Sequence, residues 1–351
     1  MRRPNLSLSI AVLLLAGFAS GQPAAAPTDK AGARGLGIYW VDVEGGAATL
    51  LVTPAGESIL VDTGWPEARD AERIQRVATE AGIERIDHLV TTHWHRDHFG
   101  GVAELARRLP IGAYYDHGFP DGAPRDIQPE LKEAYLRVTG GRTTELRPGD
   151  TLPLRQTAGP PLKVRVVASH GLVEGDEAGA PQTRACATHV GRPDDPSDNH
   201  RSVGLLVTYG GFEFLDLGDL TWNVEHKLVC PTNRLGAVDV YQVTHHGLDN
   251  SNNPDLVRAV RPAVAVVNNG PRKGGKPAVY RTLKETPGVE AVFQVHRNVE
   301  TAADENAPPA HVANDDEACE GHWIRLALDP DADHYTVAIP AKGTERRFTV
   351  R

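Results

Sequence analysis

Short apolar runs separated by turn residues set the pattern of the chain. Runs at 36–43, 48–53 and 58–62 are split by Gly45-Gly46 and by Pro54-Ala55-Gly56. Consecutive strands joined at such turns predict an antiparallel meander. The period then changes: Ala71, Ile74, Val77 and Ala78 share a helical face within 67–81, and Gly82 supplies a stop. A strand over 88–92 and helices over 102–109 and 130–138 follow, then a strand over 162–168. Strands over 202–209 and 212–217 meet at Gly210-Gly211 and predict a hairpin. Strands at 238–243, 264–268 and 289–295 alternate with helices at 254–260 and 277–286, and two closing strands lie near Trp323 and His334. The stretches 170–200 and 301–320 show no period and read as loops or insertions, of a length that often serves function. Both halves run strands first and helices after. That order predicts an α/β fold in which two sheets pack together with helices outside.

Composition adds the compartment and narrows the partners. The chain has 351 residues, 40% hydrophobic and 24% charged, which is ordinary globular material with enough apolar surface for a large core. Arg2 and Arg3, the short apolar run 6–18 and the small residues Ala19-Ser20-Gly21 have the form of an export signal. The expected organisation is a signal peptide over 1–21, a linker over 22–34 and one domain over 35–351, with a periplasmic or extracellular mature protein. The apolar run is shorter than the roughly 20 residues a bilayer span needs, so no stable span is expected after processing. A formal net charge of -9 argues against long nucleic acid, which is gripped by clustered Lys and Arg. A small-molecule substrate is the expected partner, and an anionic one is compatible where bound cations supply local positive charge. Cys186, Cys230 and Cys319 allow one disulfide and one free thiol, but their spacing does not select the pair. None lies in a CxxC arrangement, so no cysteine-built zinc site is indicated.

The chemistry concentrates after the strand at 88–92. His93, His95, Asp97 and His98 put three imidazoles and a carboxylate into six positions, closed by Gly100-Gly101. Imidazole nitrogen and carboxylate oxygen are ligands of zinc-like cations. A compact loop can direct His93 and His95 to one ion while Asp97 and His98 turn to a second. Leu217-Gly218-Asp219 and Thr244-His245-His246-Gly247 end two later strands, and the Asp219 carboxylate suits a position between two cations. Other candidates are weaker. Asp116-His117-Gly118 reads as a turn or pocket wall, Lys273 as a solvated loop residue or an anion contact, and His296 as surface or site mouth. Lys163 and Arg165 alternate on the solvent face of a strand.

These residues resemble the metallo-β-lactamase superfamily. The resemblance rests on Ile59 to Gly64, the HxHxDH pattern of His93 to His98, Gly218-Asp219 and the HHG at His245 to Gly247. It is narrower still to the metallo-β-lactamase-like domain of bacterial competence-channel (DNA-uptake) proteins. There it runs through Val41-Asp42-Val43, Tyr209-Gly210-Gly211 and 238–247, and covers most of 36–296. The resemblance implies an αββα four-layer sandwich with two divalent transition-metal ions, zinc or manganese, at one edge of the sheets. His93 and His95 would bind the first ion, Asp97 and His98 the second, and Asp219 would bridge. His246 is preferred as the last ligand, His245 then facing substrate, and Asp62 would orient the loop. Many members place a further His before the bridging Asp; His200 is the candidate here and His170 its competitor. Asp219 stands where two-zinc β-lactamases often carry Cys, which speaks against a true β-lactamase. A hydroxide between two cations would attack the substrate, with Asp97 or His245 moving a proton. The expected activity is hydrolysis of a phosphodiester or related small anionic ester. A lactonase or thioesterase-type hydrolase and a non-catalytic metal-containing binding protein are the alternatives.

Overall fold

The computed structural model describes residues 28–29, 33–120, 126–175, 186 and 189–351. The expected signal peptide, and most of the linker over 22–34, lie outside the described residues. Among the described residues from 37 onward, seventeen strands build two sheets: β1 (Gly37–Trp40), β2 (Thr49–Val52), β3 (Ser58–Val61), β4 (Ile86–Val90), β5 (Ile111–Asp116), β6 (Thr144–Glu145), β7 (Leu162–Ser169), β8 (Leu172–Val173), β9 (Gly204–Tyr209), β10 (Phe212–Asp216), β11 (Val240–Gln242), β12 (Val264–Val267), β13 (Ala291–His296), β14 (Val312–Asn314), β15 (Ile324–Leu328), β16 (His334–Ile339) and β17 (Thr344–Thr349). The first sheet has nine strands in the order β17-β16-β15-β1-β2-β3-β4-β5-β6, the second has eight in the order β8-β7-β9-β10-β11-β12-β13-β14. The expected meander is present, since β1, β2 and β3 pair antiparallel. So is the hairpin, with Tyr209 opposite Phe212.

Among the described residues, seven α-helices flank the sheets: α1 (Ala68–Glu80), α2 (Arg96–Phe99), α3 (Val102–Ala106), α4 (Pro129–Thr139), α5 (Trp222–Val229), α6 (Pro254–Val260) and α7 (Pro277–Glu285). Three apolar layers explain the arrangement. Between the sheets, Trp40, Val61 and Val90 of the first meet Val207, Phe214 and Phe293 of the second. On the outer face of the first sheet, Leu50 and Leu89 pack with Ile74 and Val77 of α1 and Leu105 of α3. On the outer face of the second, Tyr241 and Ala265 pack with Leu228, Val257 and Leu283 of α5, α6 and α7. The inner strands are therefore buried on both faces, as parallel strands between helices require. The fold is the αββα four-layer sandwich.

The structure departs from the pattern reading where order comes from side chains. The stretch 301–320 is not a mere loop: β14 lies within it and extends the second sheet beside β13. Asn306 organises its start, accepting from Asn298 N at 2.8 Å and donating to the carbonyls of Asn298 at 3.2 Å and Ala302 at 3.0 Å. Such side-chain bonds replace a periodic ladder and leave no period to read. Within 170–200, the described residues include β8 and a short 3-10 turn at Asp198–Arg201. Helix α5 and strand β17 also went unanticipated, α5 because its eight residues carry too few apolar positions to show a period. Lys163 is exposed and Arg165 half-buried, alternating with buried neighbours as expected.

The inter-sheet layer has one aromatic keystone. Trp40 is fully buried, donates its indole N–H to Gln242 Oε1 at 2.8 Å and packs edge-on against Phe214. Trp40→Ala is expected to cost about 3–5 kcal/mol, read as a lowered denaturation midpoint at unchanged slope.

Candidate metal centre

Four strand ends deliver the centre. Strands β3 and β4 run parallel, so the residues that follow them, Asp62 and the 91–98 segment, emerge at the same edge of the first sheet. Strands β10 and β11 are parallel too and deliver Asp219 and the His245-His246 pair from the second sheet. The turns are tight. A Cβ at Gly101 would lie 2.1 Å from the Thr63 carbonyl, so only glycine lets the end of the HxHxDH segment pack on the Asp62 loop.

Asp97, His98, Asp219 and His246 bring one ligand atom each into a common buried space. His98 Nε2 lies 3.4 Å from Asp97 Oδ2 and 3.2 Å from Asp219 Oδ2. His246 Nε2 lies 3.3 Å and 3.4 Å from the same two oxygens, and 3.2 Å from His98 Nε2. Ligands about 2.0–2.1 Å from a tetrahedral zinc stand about 3.3 Å apart, and all five of these separations match that edge length. The remote nitrogens are fixed as well. His98 Nδ1 is 2.7 Å from Asp62 Oδ2, and His246 Nδ1 is 3.3 Å from the Asn268 carbonyl. Both rings thus turn Nε2 inward, the usual device for setting a ligand's tautomer. Asp62 also accepts from Thr92 N at 2.8 Å and Thr92 Oγ1 at 2.7 Å, which ties the 91–98 segment to β3.

His93 and His95 form a second group with the same Asp219, so one carboxylate belongs to both. His93 Nε2 is 3.8 Å from Asp219 Oδ2; both atoms are buried with no hydrogen-bond partner among the described residues. Orphaned buried ligand atoms facing one another fit a cation between them. His95 Nε2 is 2.5 Å from Asp126 Oδ2, which leaves its Nδ1 as the free ligand atom. The Asp198 carboxylate braces the segment from behind, accepting from Trp94 N at 2.8 Å and lying 3.1 Å from His117 Nε2.

The structure does not bring every expected residue in. His200 Nδ1 is 2.6 Å from the Ser197 carbonyl, and His170 lies between Ser169 and Glu145. Neither is in a group of converging ligand atoms among the described residues. His245 differs in another way. Opposite facing of His245 and His246 follows for an extended segment, yet both residues have left-handed backbones, with φ of 55° and 54°. His245 Nε2 consequently still reaches Asp219 Oδ2, at 3.3 Å, while its Nδ1 is 3.1 Å from Ser251 Oγ.

Burial opposes charge throughout the centre, and opposite charges nearby outweigh it at some groups but not at others. His98 is raised well above the ordinary imidazole value because Asp219, Asp62 and Asp97 outweigh its burial. Burial works against ionising Asp97, but Lys273, His98 and His246 hold it well below the usual carboxylate range. Asp219 is likewise held low against its burial by His245, His98 and His246. His93 is pushed well down by burial and by the neighbouring His98 and His95, and His245 falls to about 4, chiefly through burial. Neutral His93 and ionised Asp97 and Asp219 stand in the forms that ligate metal, whereas His98 would give up its proton on binding an ion.

Lys273, read from the sequence as a solvated loop residue or an anion contact, pairs directly with Asp97 Oδ2 and lies 5.3 Å from the Trp65 ring. A Cβ at Gly274 would sit 2.0 Å from the His246 carbonyl, so the 271–275 loop is pressed onto the HHG turn. No sequence spacing announced Asp126 or Asp198, which act from other segments. His296 is neither surface nor site mouth. It is buried, with Nε2 2.9 Å from Asp42 Oδ1 and raised to about 9 by Asp42 and Cys319 against its burial. Cys186 and Cys230 are the disulfide pair, leaving Cys319 free.

His246→Ala is expected to cost close to one metal ion per chain, whereas His245→Ala keeps full metal content. Asp62→Ala should weaken retention of the ion at His98 by roughly 10–100-fold. Metal analysis after dialysis against a graded chelator checks all three.

Comparison with known proteins identifies the family. A family model described as the Metallo-beta-lactamase superfamily matches residues 41–270. Competence protein ComA of Neisseria gonorrhoeae is 27% identical over 262 residues, 74% of this chain and 30% of that protein. Thioesterase pkgB of Emericella nidulans is 40% identical over 106 residues, 30% of this chain and 29% of that protein. The chain thus spans less than a third of the length of these two relatives. Among solved structures, CmlA, a diiron beta-hydroxylase from Streptomyces venezuelae, matches with a TM-score of 0.37 and 18% identity, over 66% of this chain and 44% of that one. With the family match covering most of its length and the ligand groups in place, the chain belongs to the metallo-beta-lactamase superfamily.

Proposed function

We propose that this protein is an exported metal-dependent hydrolase of small anionic esters, with phosphodiesters as the leading substrate class. The observation that carries the reading is the sharing of Asp219 between two ligand groups, His93–His95 and Asp97–His98–His246. Two divalent cations held there, zinc or manganese, would polarise the substrate's phosphoryl or carbonyl oxygen and lower the pKa of water.

The chain's own residues supply the rest. Asp219 and Asp97 provide the negative charge that keeps cations in a buried site, while Asp62, Asn268 and Asp126 hold the imidazoles in register. Lys273 and Arg96 flank Trp65, at 5.3 Å and 5.2 Å from its ring, beside Asp97. That rim pairs a flat apolar surface with two cations and suits an anionic substrate carrying an apolar or base-like group. His245, neutral and 3.3 Å from Asp219, is placed to accept a proton within the site. A thioester is the second reading, favoured by the local likeness to a thioesterase. Export is supported by the Cys186–Cys230 disulfide, since such bonds persist in oxidising compartments.

The test is a panel of phosphodiesters, thioesters and lactones offered to metal-loaded protein. Phosphodiester turnover that Asp219→Ala abolishes supports the proposal, and turnover confined to thioesters or lactones moves the assignment to the second reading. Metal-replete protein inert on the whole panel would count for a binding role. Lys273→Gln is expected to raise KM for an anionic substrate about tenfold, about 1.4 kcal/mol, with a smaller change in kcat.

A further inference from the structure

Two further short spacings of ligand-type residues lie away from the centre. Cys186 and His189 stand in C-x2-H spacing, and His226 and Cys230 in H-x3-C spacing. The absence of a CxxC pair hides them, because each half carries one sulfur and one imidazole. Paired ligands two or three residues apart are the usual way a chain offers two donors to one zinc.

The structure brings the halves together. His226 lies in the last turn of α5 and Cys230 caps it, with Cys230 N donating to the His226 carbonyl at 2.9 Å. Residues four apart on a helix share a face. His189 N donates to the Cys186 carbonyl at 3.3 Å, closing a turn that keeps the other two ligands adjacent. The sulfurs of Cys186 and Cys230 and a nitrogen of His226 all lie within 4.8 Å of one another. The His189 and His226 rings stack with centroids 3.7 Å apart. His226 is 7% exposed, yet its Nδ1 is buried with no hydrogen-bond partner among the described residues. Asp255 Oδ2 waits nearby, 3.3 Å from His226 Nδ1 and 3.6 Å from His189 Nδ1.

We propose that Cys186, His189, His226 and Cys230 form a second, thiol-dependent zinc site that the disulfide closes and reduction opens. The balance is simple. A dithiol reductant gives two electrons and two protons to the Cys186–Cys230 bond, yielding two thiols and the oxidised dithiol. One divalent cation then displaces the two thiol protons and takes two thiolates and two imidazoles. Thiolates are the ligands that favour zinc, and Asp255 remains as an outer carboxylate to the imidazoles. In the disulfide form the sulfurs are spent on each other, and only the two imidazoles and Asp255 are left.

Cobalt(II) titration of the full chain tests this, because thiolate-to-cobalt charge transfer has its own absorption and the hydrolytic centre holds no sulfur ligand. The background carries Cys319→Ser, which removes the remaining thiol, and a phosphine serves as reductant so that it does not compete for metal. Reduced protein should bind one more cobalt per chain than oxidised protein and show the thiolate band. Cys230→Ser should abolish the band, and His226→Ala and His189→Ala should each weaken binding of the extra ion at least tenfold. Retention of the centre's own cobalt shows in each case that the variant is folded. No thiolate band in the reduced chain, a band that survives Cys230→Ser, or affinity indifferent to both histidines would overturn the site.

Discussion

Asp219 Oδ2 is buried, accepts no hydrogen bond within the described residues, and lies 3.2–3.8 Å from Nε2 of His93, His98, His245 and His246. An ionised carboxylate taken out of water costs several kcal/mol unless positive charge accompanies it. His98, raised well above its ordinary value, meets part of that requirement, and cations held by the ligand groups would meet the rest. Each element that brings an imidazole to this oxygen is therefore placed to within the reach of a metal–ligand bond. The two sheets must keep their edges aligned, because His93 and His98 come from one and Asp219, His245 and His246 from the other.

That demand is written into the backbone. Asp62, His245 and His246 all have positive φ, which costs a non-glycine residue of order 1–3 kcal/mol. The strain is held by neighbours on both sides. Asp62 N donates to the Val90 carbonyl and His245 N to the Gly218 carbonyl, both at 2.9 Å. The same left-handed turn explains how two adjacent histidines reach one carboxylate, which an extended segment would forbid. Positions of this kind are pre-set by the fold.

The segment after the HHG turn links the centre to the cysteine–histidine cluster. Ser251 Oγ lies 3.1 Å from His245 Nδ1 and donates to the Leu220 carbonyl at 2.7 Å. Two residues on, Asn253 donates to the Trp222 carbonyl at 3.1 Å and meets His189 Nδ1 at 3.4 Å. Helix α5, which carries His226, thus begins beside the strand end that carries Asp219. One short stretch of polar residues supports both sets of imidazoles.

The sequence alone put forward the candidate ligands of the centre, His200 among them, and the order of most strands and helices. His93, His95, Asp97 and His98 fall within six positions, and Asp219 and the His245-His246 pair close strands, so spacing and alternation single them out, while the preference for His246 comes from the family resemblance. Spacing and alternation depend only on neighbours along the chain. The tertiary structure decided what depends on distant partners. It left His200 and His170 out of the ligand groups, enlisted Asp126 and Asp198 behind the loop, and set Lys273 on Asp97 across 176 residues of chain. It also paired Cys186 with Cys230 and ordered 301–320 through asparagine side chains. None of these contacts has a period or a fixed offset, because each is a meeting of two segments that only the packing of the four layers brings within hydrogen-bond reach.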